Sequence, residues 1–494
     1  MANLPAVPEG CYPVKRNTKL AVLLFAIYAV LAHWPRPLRV SIRADAADVP
    51  ELDFATTDFL SEINQLGLRR APSDDNLAAG LYEVIIPSHW WNDPAYSLQT
   101  DMPGENHTVT NPFRTATLTG LGIENTDRAK RVDALQSKEL DEIQRLCERN
   151  HFFPYYFSVR PNGDMWGAEN DLSREGVPIA KVYLARVHRS LAEGRLVDAR
   201  RDVLTVFRLG RHFSQAYFDA EALVGAKAVH AVACQAATAW LSHPDITADD
   251  LREFRRRLAE IPPPRIPIIT SDIGHRFFML EFFRETQRRG LAYSRQTVGS
   301  RSRRFFSETL FPNLFLCLVD WNEVVRLMNA RWDKWVEIVK IEDATLRRAR
   351  IEEFGRELSG EIERMRSPGN EDMFQSTASI ERSLSMTLWP ASTSFAKAFQ
   401  RAHMSREAVE TCVAIKTFQL DTGEFPESLN ALLGGYLETI PKDVDVDEPL
   451  RYLRMKNGVL LYGVGHSKTD HGGRNDKGRD DQIFLIGSDD RPDP

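Results

Sequence analysis

Between Ile179 and Ile261 apolar residues recur three and four apart, and this periodicity constrains the fold more than any other feature of the chain. Ile179, Val182, Tyr183, Val187 and Leu191 share one helical stripe, Gly194 interrupts it, and Leu196, Ala199, Val203, Val206 and Phe207 resume it. Two helices joined by so short a break fold back on each other as an antiparallel pair. A third helix carries Leu223, Ala226, His230, Ala233, Ala237 and Trp240 on one stripe. Thr247 then caps a fourth, with Leu251, Phe254, Leu258 and Ile261 facing inward. Pro262, Pro263 and Pro264 end that helix, because proline offers no amide donor and clashes with the preceding turn. A chain of 494 residues with 43% apolar content can bury a large core around such a block, divided over several units.

The first helix pair, with Leu184-Ala185, Ala192-Glu193-Gly194 and Ala199, resembles one tetratricopeptide-like hairpin, although no repeat recurs along the chain. Helical patterning continues from Asp272 to Arg366, where Trp321, Val324, Leu327, Met328 and Trp335 mark a core-facing stripe, and Ser367-Pro368-Gly369-Asn370 breaks it. Glu281 and Glu285 share a helix face with Arg284, Arg288 and Arg289, which reads as pairing at the surface. The arginines from Arg284 to Arg304, interleaved with Tyr293, Phe305 and Phe306, read as a solvated linker. A net charge of -6 gives no field that would draw the chain to nucleic acid. Residues 36–165 are loop-rich. Asp75 precedes one amphipathic turn as a cap, Ser137 to Arg149 forms another helix, and the aromatic cluster from Phe152 to Phe157 docks this region on the rest.

Leu20 to Ala32 is uninterrupted apolar sequence, with Lys15, Arg16 and Lys19 before it and His33, Trp34 and Pro35 after it. At about 1.5 Å per residue the apolar core alone is short for a bilayer, and Thr18 to Trp34 completes a span. Residues 19–35 are therefore expected to be a transmembrane anchor and 1–18 a cytoplasmic tail. A cleaved signal, with Ala44-Asp45-Ala46 as its site, and a buried helix are the alternatives. Arg36, Arg39 and Arg43 balance the upstream basic residues, so charge alone leaves the orientation open.

The last part of the chain has its own order of elements. A helix from about Ser405 to Leu420 leads into Gly423-Glu424-Phe425-Pro426. Tyr436-Leu437, Pro441-Lys442-Asp443, Pro449-Leu450-Arg451-Tyr452, Tyr462-Gly463-Val464-Gly465, Gly472-Gly473 and Asp480-Asp481-Gln482-Ile483 follow. This order resembles the soluble domain of the major pseudopilins of type II secretion systems. The resemblance implies a small α+β domain over residues 401–494, an extracytoplasmic setting, and a calcium-binding loop in which Asp470 and Asp481 match acidic positions. Ser467 and His471 stand where that family carries acids, and Lys468, Arg474, Lys477 and Arg479 offset the local aspartates. A structural turn whose aspartates cap backbone amides, or a zinc site at His466, Asp470 and His471, are the other readings of the same loop. The N-terminal apolar run lacks the processed glycine and the glutamate of a pseudopilin, so a fibre subunit is not expected.

Enzyme motifs fail. Gly463 to Thr469 lacks the spacing of a phosphate loop, and Gly120-Leu121-Gly122 lacks the third glycine of a dinucleotide turn. Glu148 and His151 form a single E-x-x-H step where a di-metal bundle needs two. His230 reads as a core histidine, and Cys147, Cys234, Cys317 and Cys412 belong to no metal-ligand pair. The composite expectation is a mainly α protein: an anchor, a loop-rich region over 36–165, a helical domain over 166–400 and a pseudopilin-like unit. It is held by one pass in a bacterial inner membrane with its bulk outside the cytoplasm, and acts as an interaction or scaffolding module for envelope proteins. The alternatives are an envelope hydrolase assembled from residues such as His151, Glu169 and Asp171, and a calcium-stabilised structural module.

Overall fold

In a computed structural model of the chain the described residues are 39–40, 52–53, 57–88, 138–158, 165, 168–170, 172, 175–289, 319–366, 389–465, 467–474 and 482–487. The apolar stripes found in the sequence become packed helices. After two short helices, α1 (Phe59–Arg70) and α2 (Leu77–Ser88), and a third, α3, over residues 138–146, the expected pair forms as α4 (Gly176–Ala192) and α5 (Leu196–Phe213). Val187, Val203, Val206 and Phe207 are fully buried between them and their neighbours. α6 (Asp219–Val224) runs through a π-helical segment, Gly225–Val229, into α7 (His230–Leu241), and α8 (Ala248–Ala259) follows. At the start of α8 the Thr247 hydroxyl accepts from the Asp250 amide at 3.2 Å while the Asp250 carboxylate accepts from the Thr247 amide at 3.2 Å, closing a reciprocal cap.

A second π-helical segment, Thr270–His275, opens α9 (Arg276–Arg289), and α10 (Trp321–Lys340), α11 (Ala344–Arg366) and α12 (Trp389–Thr422) complete the helical part. α12 is longer than the Ser405–Leu420 run suggested, because its N-terminal half buries Phe395 and Phe399 against the helical body. The chain is mainly helical, with one antiparallel sheet of three strands, β5 (Arg451–Arg454), β6 (Gly458–Gly463) and β7 (Gln482–Gly487), in the order β5-β6-β7. Each of the preceding strands, β1 (Arg39–Val40), β2 (Leu52–Asp53), β3 (Phe157–Ser158) and β4 (Ala168–Glu169), is only a two-residue pairing. β6 is buried along its whole length, with Leu460 and Leu461 inaccessible, so the sheet is covered on both faces. Its edge joins the helical body where the Gly487 amide donates to the Ser242 hydroxyl at 3.1 Å and Gln482 bonds Ser405 of α12.

Two features depart from the sequence expectation. Asp75 does not cap the following helix: Asn76 does, accepting from the Ala78 amide at 3.1 Å, while Asp75 accepts from the Asn150 amide at 2.9 Å. Glu281, Arg284 and Glu285 are buried rather than paired at the surface. Arg284 bonds Glu281 at 2.8 Å, donates to the Thr57 carbonyl and lies 5.0 Å from the centre of the Phe59 ring, because α1 packs over that face of α9. The helical run Glu221–Leu241 is apolar and long enough to cross a bilayer, yet over half of it is buried inside the body and it serves as the core helix. The expected anchor at residues 19–35 lies outside the described residues.

Candidate functional site

The segment His151–Tyr156 has no helix or strand of its own, and two buried asparagines hold it in place. Asn76 Nδ2 donates to the Phe153 carbonyl at 2.9 Å while its Oδ1 accepts from the Phe153 amide at 2.9 Å. Asn64 does the same for Tyr156, at 2.7 Å to the carbonyl and 2.9 Å from the amide. Each side-chain amide thus stands in for a neighbouring strand, satisfying main-chain groups that burial would otherwise leave unpaired. Beyond the segment, the Tyr156 hydroxyl donates to Glu221 at 2.9 Å and accepts from the Tyr217 amide at 3.2 Å.

The turn after α5, residues 213–217, is wedged between the two π-helical segments. A Cβ on Gly225 would lie 2.4 Å from the Phe213 carbonyl carbon, and one on Gly274 would lie 1.7 Å from the Tyr217 carbonyl oxygen. Only glycine permits both approaches, and the wide π turn carries each glycine to the contact. Thr270 adds a hydrogen bond to the Ala216 carbonyl. The consequence is a fixed position for Arg211, Ser214 and Tyr217 at the C-terminal end of α5.

These parts enclose a cleft of about 530 Å³. Phe152, Phe153, Tyr217 and the prolines at 262–264 form its apolar wall, Arg70, Arg211 and Arg265 bring positive charge to it, and His151 lies at its edge. Among the described residues no aspartate or glutamate lines it. The Arg211 Nε is buried and meets no acceptor among the described residues, and burial holds its guanidinium below the usual range. Arg265 is exposed and has no acidic partner among the described residues. Burial pushes the Tyr217 hydroxyl up to about 12 against the pull of Arg70, so it is a neutral donor. His151 leans toward Asp75, with Nε2 and Oδ2 3.6 Å apart, and Glu148 pairs with Arg208 at 2.6 Å; the E-x-x-H step is structural.

Across the Pro264-Arg265-Ile266 ridge lies a second cleft, of about 330 Å³, lined by α11, α12 and the turn at 439–444. His403 and Glu407, one turn apart on α12, face each other there with Nε2 and Oε1 3.7 Å apart. Burial and the neighbouring Glu410 carboxylate raise Glu407 to about 7 against the pull of Arg348, and burial lowers His403.

The C-terminal turns are built around Asp443 of the Pro-Lys-Asp motif. Its carboxylate is fully buried and accepts from the Val464 amide at 2.6 Å and the Asp445 amide at 2.9 Å, tying the turn to the end of β6. Asp470 is likewise committed to protein donors. Its Oδ1 accepts from the Gly472 amide at 2.8 Å and the Tyr462 hydroxyl at 3.2 Å, and its Oδ2 sits 2.9 Å from the Arg451 guanidinium. With these partners Asp470 serves here as the cap of a turn and as the acceptor of an ion pair. Asp481 and His466 lie outside the described residues, and His471 Nε2 is 3.5 Å from the Ser467 hydroxyl. Among the described residues no group of three His, Cys, Asp or Glu side chains converges to hold a metal.

His151 lines the basic cleft with Asp75 as its acidic neighbour, and Asp171 and the side chain of Glu169 lie outside the described residues. His230 is a core residue against Phe207, with ring centres 6.5 Å apart, as its place on an apolar stripe implied. Sequence reading missed both clefts, since their residues come from segments far apart in the chain; the one local signal was the Pro-Pro-Pro-Arg-Ile-Pro run. Compared with known proteins, the chain matches no family model, no curated protein and no solved structure.

Proposed function

We propose that this chain is an interaction module whose 530 Å³ cleft docks an acidic segment of a partner protein carrying apolar side chains. The observation that carries this reading is the composition of the lining: guanidinium groups from α1, α5 and the proline segment over an aromatic and proline wall, with no aspartate or glutamate among the described lining residues. Arginine presents a planar fork that matches a carboxylate in two parallel hydrogen bonds, and prolines give a preformed apolar face at little entropic cost. The Ser214 hydroxyl in the lining donates to the Gly210 carbonyl at 2.6 Å, His151 leans toward Asp75, and no metal cluster forms among the described residues, so binding suits the cleft better than hydrolysis. The wider setting in this proposal is the envelope: residues 19–35 anchor the chain by one pass in a bacterial inner membrane, and the body faces outward. The long α12, the buried Pro-Lys-Asp turn and the three-stranded sheet support a pseudopilin-like unit at 401–494, and with it a partner in secretion or pilus-like machinery.

The test is anisotropy of a fluorescein-labelled peptide rich in glutamate, leucine and phenylalanine, titrated with the full chain in detergent. Arg211→Gln and Arg265→Gln are each expected to weaken binding about tenfold, equivalent to about 1.4 kcal/mol, with affinity falling as salt rises. Equal binding of a glutamine-for-glutamate peptide would remove the reading. Proteolysis of a C-terminal tag in intact spheroplasts tests the setting: cleavage with the protein still in the membrane pellet supports it, and protection until lysis refutes it.

A further inference from the structure

The second cleft carries a different chemistry. Arg265 enters it from the proline ridge, Arg347 and Arg348 from α11, and Lys442 from the Pro-Lys-Asp turn, so four cations from three parts of the chain converge on a space of about 330 Å³. Among the described residues Glu407 is the only acid in the lining. Asp447 serves two of the cations at once, bonding Arg348 and lying 3.5 Å from Lys442. Arg347 is held by the Ile341 and Glu342 carbonyls, at 2.6 and 3.1 Å, which orient it without cancelling its charge. The cleft therefore keeps an excess of positive charge on side chains already fixed in place, the arrangement that recognises a tetrahedral oxyanion.

We propose that this cleft binds a phosphoryl group, with Arg265, Arg347 and Lys442 as its charged donors and the Glu407 carboxyl beside them. The volume suits a small phosphate monoester. Facing Glu407 are His403 and Glu410 of its own helix, Arg347 and Arg348 of α11, Arg265 of the ridge and Lys442 of the turn. Because its carboxyl titrates near 7, an incoming dianion meets either a carboxylate, which repels it, or a carboxylic acid, which donates to it. Binding takes up a proton, and affinity falls as pH rises above that value.

The experiment is calorimetric titration of the full chain in detergent, at fixed ionic strength, with sulfate as a tetrahedral dianion that does not itself titrate in this range. Wild-type affinity is expected to fall between pH 6.5 and pH 8.5, approaching tenfold per unit at the upper end, and Glu407→Gln to bind with a flat profile. Arg265→Gln and Lys442→Gln, both at exposed positions, should weaken sulfate about tenfold, while Arg211→Gln in the neighbouring cleft leaves it unchanged. Glycerol 3-phosphate and dioctanoyl phosphatidate identify the source: the first binding as well as the second assigns a soluble ester, and the second alone assigns a lipid headgroup. No sulfate binding, binding indifferent to Arg265 and Lys442, or a pH profile unchanged by Glu407→Gln overturns the proposal.

Discussion

Replacing Asn64 by alanine is expected to loosen the wall of the basic cleft while leaving every residue that lines it in place. The Asn64 side chain makes two buried hydrogen bonds to Tyr156, donating to its carbonyl at 2.7 Å and accepting from its amide at 2.9 Å. Truncation strands both main-chain groups, and a buried group without a partner costs about 1–3 kcal/mol, so the two together cost about 2–6 kcal/mol. Asn64→Asp is the discriminating variant. It keeps the acceptor for the amide but sets a carboxylate oxygen against the Tyr156 carbonyl, so it should be at least as destabilising as alanine. Gln65→Ala, at an exposed position on the same helix, serves as control and should stay within about 0.5 kcal/mol. Urea unfolding followed by circular dichroism gives the loss in stability, and hydrogen exchange over residues 151–158 shows whether the Tyr156 amide has lost protection. An Asn64→Ala protein within about 0.5 kcal/mol of wild type, with that amide still protected, would refute the claim that side-chain amides replace a strand here.

Asp202→Ala should cost about 3–5 kcal/mol in urea unfolding. Arg186 is buried and bonds both Asp202 oxygens, at 2.7 and 2.6 Å, with Asp141 a partly exposed third partner at 3.1 Å. The double replacement Arg186→Met with Asp202→Leu should recover most of that loss, because burial penalises both charges and already raises Asp202 against the pull of Arg186. Acid should destabilise the helical body below about pH 6.5. Burial lowers His212 to about 4 and His230 and His275 to about 3, so the unfolded chain binds protons there that the folded one does not, and stability falls with pH. Glu407, raised to about 7, has the opposite sign between about pH 4.5 and 7, and Asp202 and Asp272, also raised by burial, act the same way at the acid end, but five lowered imidazoles, with His188 and His403 added, outweigh them, and the urea midpoint should rise from pH 5 to pH 7. Chelation with EDTA should leave the thermal melt unchanged, since Asp470 is engaged by Arg451, Tyr462 and Gly472, whereas Asp470→Ala should lower the melting temperature and cost about 1–2 kcal/mol in urea unfolding.

The helices that hold the body together were legible because their information is local. The stripe from Ile179 to Phe207, the reciprocal cap at Thr247 and the proline stop at 262 each follow from neighbours within a turn or two, and burial of those stripes fixes a mainly helical body. What tertiary structure alone decided is polar and non-local. Whether Glu281 and Arg284 sit in water or beneath α1, whether Asp75 or Asn76 caps a helix, and whether Asn64 meets solvent or the Tyr156 backbone depend on which distant segment packs above them. The π turns at Gly225 and Gly274 have the same origin, because only the approach of residues 213–217 demands a residue without a Cβ there. Both clefts lie where such segments meet. Their arginines, His403 and Glu407 look like ordinary surface residues in sequence, and charge convergence from several elements is what gives them a common field.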